Sequence, residues 1–238
     1  MKVCEICGGT VWLLSESPNR ENNYRSKTVS CECRANEINE RTLEINLENS
    51  GLVERDLKVF DFRTFKVTKQ VSVESQKTLT EMRKRLQKWV KPNHEHWCLT
   101  LTGPTGVGKT HLAKASVKKL LKEGKRVHYS RAVELNKQLR NFTDGVADRY
   151  RDMLSNVSYL VLDDVGVEYD PRGYLQSIYH GVIDDRYNAH KPTVVISNLT
   201  FDLRGKGSLS SVLGRRAFSR LCEGVAIQVK GRDMRSLL

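Results

Sequence analysis

A glycine-rich segment near the middle of the chain limits the possible folds more than any other feature. It matches the full pattern G-x-x-x-x-G-K-[ST], with Gly103, Pro104, Thr105, Gly106, Val107, Gly108, Lys109 and Thr110. A strand-like apolar segment at 97–101 precedes it, and an amphipathic helix that ends at Gly124 is expected to follow. A strand, a glycine loop and a helix form the context in which this pattern binds phosphate.

The residue types in this loop explain how it would hold a nucleotide. Glycines let the backbone curl until its N–H groups point at phosphate oxygens, and the helix N-terminus adds partial positive charge. We expect Lys109 to reach the β- and γ-phosphates and Thr110 to place its hydroxyl on Mg²⁺. A turn that binds no ligand is the alternative, but it does not need all eight positions and both flanks. The loop therefore predicts ATP and Mg²⁺ as cofactors.

The remainder of the chain alternates between strand-like and helical patterns. After the loop, strands are expected at 126–130, 159–163, 193–197 and 225–229. Helices are expected near 75–90, 132–142, 148–155, 172–189 and 208–222. Such alternation predicts an α/β fold with a five-stranded parallel sheet flanked by helices, and ligands in such sheets bind at the carboxyl ends of strands.

Charge and hydropathy indicate the kind of partner and the compartment. The 238 residues include 40 Lys and Arg against 28 Asp and Glu, a net charge of +12. This excess favours a polyanion such as nucleic acid, with a merely soluble basic surface as the alternative. No apolar run approaches the roughly 20 residues that cross a bilayer, and the first residues lack the apolar core of a signal peptide. We expect a cytoplasmic protein with no membrane partner.

Four of the six cysteines lie near the N-terminus in two close pairs. Cys4 and Cys7 form the first pair, and Cys31 and Cys33 form the second. In a reducing compartment this spacing indicates a tetrahedral Zn²⁺ site, structural because four thiolates close it, with unliganded thiols as the alternative. Residues 10–14 and 24–30 could form a hairpin between the pairs. So small a segment would take its folding free energy from the metal.

These patterns divide the chain into three parts. We predict a small zinc-binding domain at 1–50, a connector at 51–70 and a nucleotide-binding domain at 71–238. A weak helix is expected at 34–50. The connector contains Phe60, Phe62 and Phe65, so we expect it to pack on the next domain, either near the adenine or as ordinary core.

Polar residues at the ends of two predicted strands complete the nucleotide site. Asp163 and Asp164 end the strand at 159–163, where Asp163 would hold Mg²⁺ through its water shell. Asp164 is placed to orient or deprotonate the attacking water, and Glu168 competes for that role. Asn198 could hydrogen-bond the γ-phosphate or that water, with a turn-forming asparagine as the alternative.

Arginines near the C-terminus suggest contacts with phosphate. Arg216 and Arg220 are four residues apart on a predicted helix and share a face. One of them could reach the γ-phosphate of a neighbouring subunit, although a basic or DNA-facing helix is the alternative. Arg235 could touch the phosphates in its own subunit.

The segments GPTGVGKTHLA, YLVLDDVG, VVISNLT, GRRAFSRLCEG and GRDMR, in this order, resemble the AAA+ replicative helicase loaders of the DnaC/DnaI type. They also resemble the related IstB transposition helpers and, more distantly, the DnaA initiators. The resemblance covers about residues 60–238. The cysteine pairs are similar to the zinc-binding N-terminal domain of DnaI-like and phage loaders.

This resemblance implies a role for each matching residue. Lys109 and Thr110 correspond to the Walker A pair and Asp163 to the Walker B metal residue. Asn198 matches sensor 1, and Arg220 best matches the arginine finger, with Arg216 beside it; Arg235 falls where a sensor 2 arginine would. The strand ends in Asp-Asp, where most AAA+ proteins have Asp-Glu, so slow ATP hydrolysis is implied.

Two functions from different classes of DNA transaction follow. The first is an ATP-switched loader that binds a DnaB-type replicative helicase through residues 1 to about 65, delivers it to single-stranded DNA and forms homo-oligomers with ATP. Arg131, Lys137 and Arg140 could contact the strand. The second is a transposition helper that assembles on duplex DNA, although such helpers usually lack the cysteines. A DNA-binding module that holds ATP only for structure is a third, non-enzymatic alternative.

Overall fold

A computed structural model of the protein describes residues 4–5, 12–16, 26–67, 72–91, 96–140, 145–168, 170, 173–205 and 207–234. The chain divides into two compact units, a small unit, Met1–Ile45, and a large unit, Asn46–Leu238. Residues 51–67, predicted as a connector, belong to the large unit. The domain limits at 50 and 70 stay a prediction.

The small unit contains a hairpin followed by the start of a helix. Strands β1 (Trp12–Glu16) and β2 (Ser26–Ser30) pair antiparallel, with Trp12 opposite Ser30. Helix α1 (Glu32–Glu48) follows almost directly. The hairpin and the helix predicted near 34–50 are both confirmed, with limits shifted by a few residues.

The large unit is built on a five-stranded sheet in which every neighbouring pair is parallel, as predicted. Its strands in chain order are β3 (Cys98–Thr102), β4 (Val127–Arg131), β5 (Tyr159–Asp163), β6 (Thr193–Ser197) and β7 (Val225–Gln228). Their order across the sheet is β4-β5-β6-β3-β7. All residues of β3, β5 and β6 are buried, which is consistent with the apolar runs at the centres of β5 and β6. The glycine loop therefore leaves the sheet between β6 and β7.

Helices connect and cover these strands. They are α2 (Glu54–Val59), α3 (Val73–Trp89), α4 (Lys109–Lys122), α5 (Ala132–Arg140), α6 (Val146–Asn156), α7 (Tyr174–Asn188), α8 (Leu209–Leu213) and α9 (Arg215–Cys222). The prediction of a single helix at 208–222 was wrong, because Gly214, with φ 78° and ψ 155°, separates α8 from α9. Helix α4 ends as predicted, because the N–H groups of Gly124 and Lys125 cap its last carbonyls. None of the described helices is both long and apolar enough to span a membrane.

Candidate nucleotide-binding site

Lys109 opens α4 directly after the glycine loop, and its side chain folds back over that loop. Its Nζ atom donates to the carbonyl oxygens of Gly103 at 2.7 Å and Pro104 at 2.8 Å. A third bond, at 2.9 Å, goes to Oδ1 of Asn198, just beyond β6. Two residues predicted from separate motifs therefore meet at the carboxyl end of the sheet.

The electrostatic surroundings of Lys109 combine burial with two carboxylates. The residue is 5% exposed. Burial lowers the pKa of its ammonium group, and the negative charges of Asp163 and Asp164 oppose that shift. The lysine is thus a cation held close to the acidic end of β5, where a phosphate would add further negative charge.

Asp163 ends β5 and is fully buried. Its Oδ2 atom accepts a 2.7 Å hydrogen bond from the hydroxyl group of Tyr129, and Oδ1 accepts one of 2.8 Å from the Asp164 N–H. Burial raises the pKa of the Asp163 carboxyl, while the bonds from Tyr129, Thr110 and the Asp164 N–H lower it. Thr110 and Asp163 thus offer neighbouring hard oxygen atoms, the donor set that fits Mg²⁺.

The two candidates for activating water have different surroundings. Asp164 has a φ of 58°, and its side chain is 35% exposed with Oδ2 at 3.8 Å from Nε of Arg131. Oε2 of Glu168 instead accepts a 2.8 Å hydrogen bond from the Gly166 N–H, and Oε1 is buried. The same carboxylate raises the pKa of the buried Tyr179 hydroxyl, after the larger effect of burial. The Glu168 carboxylate is thus bonded to the loop backbone, whereas the Asp164 side chain is partly exposed.

The segment before α3 packs against the glycine loop and α4. The ring of Phe65, 4% exposed, lies against Gly108. The imidazole of His111 on α4 contacts the Asp61 carbonyl at 3.2 Å and the Thr64 hydroxyl at 3.1 Å. The expected packing of this segment on the large unit is therefore observed, while its predicted place near the adenine stays a prediction.

Residues after β7 return to the same loop. The Val229 carbonyl approaches Gly103 so closely that a Cβ atom there would lie 2.1 Å from the oxygen, and Gly103 has a φ of +136°. The Met234 N–H donates to the Gly106 carbonyl at 3.0 Å, and the carboxylate of Asp233 lies beside Gly106. No sequence motif indicates these contacts. Arg235, the predicted sensor 2 residue, lies outside the described residues.

The two candidate finger arginines share one partner on α7. Arg216 lies 3.4 Å and Arg220 3.2 Å from the carboxylate of Asp184. The guanidinium of Arg220 also stacks over the ring of Tyr187, 4.2 Å from its centroid, and lies 3.8 Å from Glu223. The hydrogen bond to Asp184 raises the pKa of Arg220. Arg216 is the more exposed, at 65% against 29%.

Three of the four predicted zinc ligands lie together in the small unit. The Sγ atoms of Cys4, Cys31 and Cys33 all lie within 4.8 Å of one another, and Cys4 and Cys31 are 3.9 Å apart. Zn–S bonds of about 2.3 Å in a tetrahedron place sulfurs about 3.8 Å apart, so these three thiols fit zinc. Cys7 lies outside the described residues, and the ion itself stays a prediction.

The strand order, the glycine loop and the acidic end of β5 are those of a nucleotide-binding protein of the AAA+ P-loop class. The family model for IstB-like ATP binding proteins matches residues 33–236, and the chain belongs to this DnaC/IstB-like family.

Individual relatives include a helicase loader and an insertion-sequence protein. A replicative helicase loader, DnaC, of Buchnera aphidicola subsp. Baizongia pistaciae (strain Bp) is 32% identical over 50% of this chain and 48% of its own length. An insertion-sequence ATP-binding protein of Pseudomonas fluorescens is 35% identical over 50% of each chain. The chain spans about half the length of these curated relatives.

Solved structures agree with the family. The crystal structure of a DnaC helicase loader matches with a TM-score of 0.58 and 26% identity, covering 75% of this chain and 100% of that chain. A DnaA initiator bound to AMPPCP and single-stranded DNA matches with a TM-score of 0.55 at 21% identity, which supports the fold alone.

Proposed function

We propose that this protein is an ATP-switched helicase loader, which binds a ring-shaped replicative helicase of the DnaB type and delivers it to single-stranded DNA. The observation that carries the proposal is the presence, in one chain, of a thiol cluster in the small unit and an IstB-like ATPase unit. Transposition helpers of this type usually lack such cysteines. The small unit would be the helicase-binding part.

The residues around the glycine loop support ATP binding and hydrolysis. Lys109 would neutralise phosphate charge, while Thr110 and Asp163 would hold Mg²⁺, which withdraws charge from the phosphates. Asp164, being accessible, would orient the attacking water or take its proton. Asn198 would lie at the γ-phosphate, because its Oδ1 atom already accepts a hydrogen bond from the Lys109 ammonium group, which would bind that phosphate.

The bond between Lys109 and Asn198 suggests how nucleotide would act as a switch. A phosphate that reaches the Lys109 ammonium group competes with the Asn198 oxygen for it. The end of β6 would thus respond to the γ-phosphate. Completion of the site by Arg220 from a neighbouring copy would require that arginine to leave Asp184 and Tyr187, so assembly and turnover would be linked.

A net charge of +12 supports contact with the DNA backbone. Arg131 and Lys137 remain candidates for that contact, although Arg131 lies 3.5 Å from Glu134 and 3.8 Å from Asp164. The side chain of Arg140 lies outside the described residues. Binding to DNA should weaken steeply as salt rises, because phosphate contacts release counterions.

The test is native mass spectrometry of the protein with the replicative helicase of its host, with and without ATP and single-stranded DNA. A stoichiometric complex that disappears when residues 1–65 are deleted is the result expected of a loader. Cys31→Ser should also remove the complex while ATP binding persists. Lys109→Ala should remove ATP binding and any ATP-dependent change in stoichiometry, while the helicase-binding small unit is left intact.

The second candidate is a transposition helper, favoured by the 35% identity with the insertion-sequence ATP-binding protein. It predicts ATP-dependent assemblies on duplex DNA and no complex with the helicase. That outcome in the same experiment, with duplex DNA added, would replace the loader proposal.

A further inference from the structure

Tyr129 lies in the middle of β4, and two strands, β5 and β6, separate β4 from the strand that leads into the glycine loop. No sequence motif includes it. It is 2% exposed and lies opposite Val161 of β5 in the parallel register. From there its hydroxyl group donates the 2.7 Å hydrogen bond to Oδ2 of Asp163. A tyrosine buried in one strand thus contacts the acidic end of the next.

This bond takes part in fixing the orientation of the Asp163 carboxylate. One oxygen accepts from the Tyr129 hydroxyl and the other from the Asp164 N–H. Rotation of the carboxylate about its last bond would break both. Because Asp163 is fully buried, a lost donor cannot be replaced by solvent without rearrangement. The lone pairs that remain for a metal or its water therefore have fixed directions.

Tyr129 is itself held in place by residues of α2 and α4. The ammonium group of Lys114 lies 5.1 Å from the centroid of the Tyr129 ring and 5.0 Å from that of Phe60. The same ammonium group donates to Oδ1 of Asp56 at 3.1 Å, and both side chains of this pair are at most 16% exposed. The main-chain N–H of Tyr129 donates to the Ser50 carbonyl at 2.7 Å.

We propose that Tyr129 is a positioning residue for the magnesium site: its hydroxyl group holds the Asp163 carboxylate in the orientation that binds the Mg²⁺ of a bound nucleotide. This inference rests on the proposed ATP site. Partners of a metal-binding carboxylate generally set metal affinity as well as geometry. The Lys114–Asp56 pair extends this support from β4 to α2, so residues 50–60 share in placing the carboxylate.

Nucleotide affinity should then have two contributions, one that needs Mg²⁺ and one that does not. Lys109 and the loop N–H groups act on the phosphates whether or not Mg²⁺ is present. The Tyr129 hydroxyl group acts on the Asp163 carboxylate, so its removal should affect the gain in affinity that Mg²⁺ provides. A residue that merely stabilises the fold would weaken nucleotide binding with and without the metal.

The experiment measures the affinity of the full chain for a fluorescent ATP analogue in Mg²⁺ and in EDTA. For Tyr129→Phe we expect the ratio of the two affinities to fall by roughly tenfold or more, with the affinity in EDTA unchanged. Tyr150→Phe is the matched control, because it removes another tyrosine hydroxyl, partly buried and bonded to His128 rather than to Asp163. It should leave both affinities as in the wild type.

Other results of this experiment would overturn either the inference or the proposed function. An unchanged ratio in Tyr129→Phe, or an equal loss with and without Mg²⁺, overturns the inference. A wild-type chain that binds no nucleotide overturns the proposed function instead. Should Tyr129→Phe not fold, Lys114→Met decides: it keeps the hydroxyl group but removes the cation over the ring, so we expect a smaller loss in the ratio. An unchanged ratio in that variant would then reject the inference.

Discussion

At the scale of residues, two carboxylates after β5 have different surroundings. Asp164 is partly exposed beside Arg131, whereas Glu168 accepts a hydrogen bond from the Gly166 N–H and has one oxygen buried. A carboxylate that activates water must be accessible to that water, and its oxygens must not already be bonded to the backbone of the loop. This difference favours Asp164 over Glu168.

We therefore expect Asp164→Asn to lower kcat for ATP hydrolysis by at least roughly a hundredfold, the usual effect of losing a general base. Its affinity for ATP should change little, because Lys109 and the loop are untouched. Glu168→Gln is the paired variant and should keep most of the turnover. Steady-state hydrolysis and equilibrium ATP binding measure the two effects. The reverse pattern, with turnover lost only in Glu168→Gln, would assign the role to Glu168.

Arg186 is a fully buried residue whose function is structural. Its guanidinium donates to the carbonyl oxygens of Leu154, Val157 and Pro192 at 2.7–2.9 Å and to the Thr193 hydroxyl at 2.8 Å. Burial lowers its pKa to about 9. One side chain thus provides hydrogen-bond donors to the C-terminal end of α6, to the loop before β5 and to the start of β6.

Replacing Arg186 with Met should lower the free energy of unfolding by roughly 3 kcal/mol or more, because several buried carbonyls lose their donor. Arg63→Met, at a side chain that is 89% exposed, is the control and should cost less than about 1 kcal/mol. Urea denaturation measures both. Equal, small effects would show that water or Lys191, which donates to the nearby Ser155 carbonyl at 3.0 Å, replaces the guanidinium.

At the scale of elements, β4 forms an edge of the sheet, and residues 49–51 cover it. The Tyr129 N–H donates to the Ser50 carbonyl, and Nδ1 of His128 donates to the Asn49 carbonyl at 2.8 Å. Since Nδ1 carries the proton, Nε2 of a neutral ring accepts from the Tyr150 hydroxyl at 3.2 Å on α6. Residues 49–51 therefore cover the edge of β4 and protect it from pairing with another chain.

This cover should make stability depend on pH. Burial lowers the pKa of His128 below its usual 6.5, against smaller opposing effects of the Asn49 carbonyl and Glu134. The unfolded chain then binds more protons, so stability is lost as the pH falls from about 6.5 towards the lower folded-state value. The slope should approach about 1.4 kcal/mol per pH unit.

His128→Gln should reduce this slope in urea titrations between about pH 7 and 5. His190→Gln, at an exposed position, should retain it. A wild-type slope that survives in His128→Gln would assign the dependence to other groups.

The sequence predicted some elements better than others for physical reasons. The limits of β5 and β6 matched because each is a run of apolar residues closed by polar ones. The helix after β6 was misjudged at Gly214, since a single glycine inside a helical pattern does not reveal whether its φ is positive. The location of Lys109, Asp163 and Asn198 at the carboxyl end of the sheet could be predicted from motifs. The contacts of Tyr129 and Asp184 could not, because they depend on strand register and helix packing.

At the scale of the molecule, the two units have different sources of stability. The large unit buries the strands of a five-stranded sheet beneath its helices. The small unit combines a two-stranded hairpin, the first part of α1 and three clustered thiols. So small a core rarely folds without a metal or a disulfide, and no disulfide joins the described cysteines.

We therefore expect a strong chelator, or Cys31→Ser, to unfold residues 1–45 while ATP binding by the remainder persists. Limited proteolysis should then release a stable fragment that begins near residue 46. Elemental analysis should find zinc in the wild type and little in Cys31→Ser, and Cys98→Ser, outside the cluster, should keep its zinc. Absence of zinc from the wild type, or equal proteolysis of all variants, would contradict the prediction.

The close approach of Val229 to Gly103 has a consequence for synthesis of the protein. The glycine loop before Lys109 packs against the carbonyl of Val229, more than a hundred residues later in the chain. The Met234 N–H adds a hydrogen bond to the Gly106 carbonyl. A growing chain on the ribosome would carry the entire motif long before it could form the binding conformation. We expect affinity for ATP to arise only after residues 225–234 have left the exit tunnel, so that nucleotide binding follows the synthesis of β7 and of the segment after it.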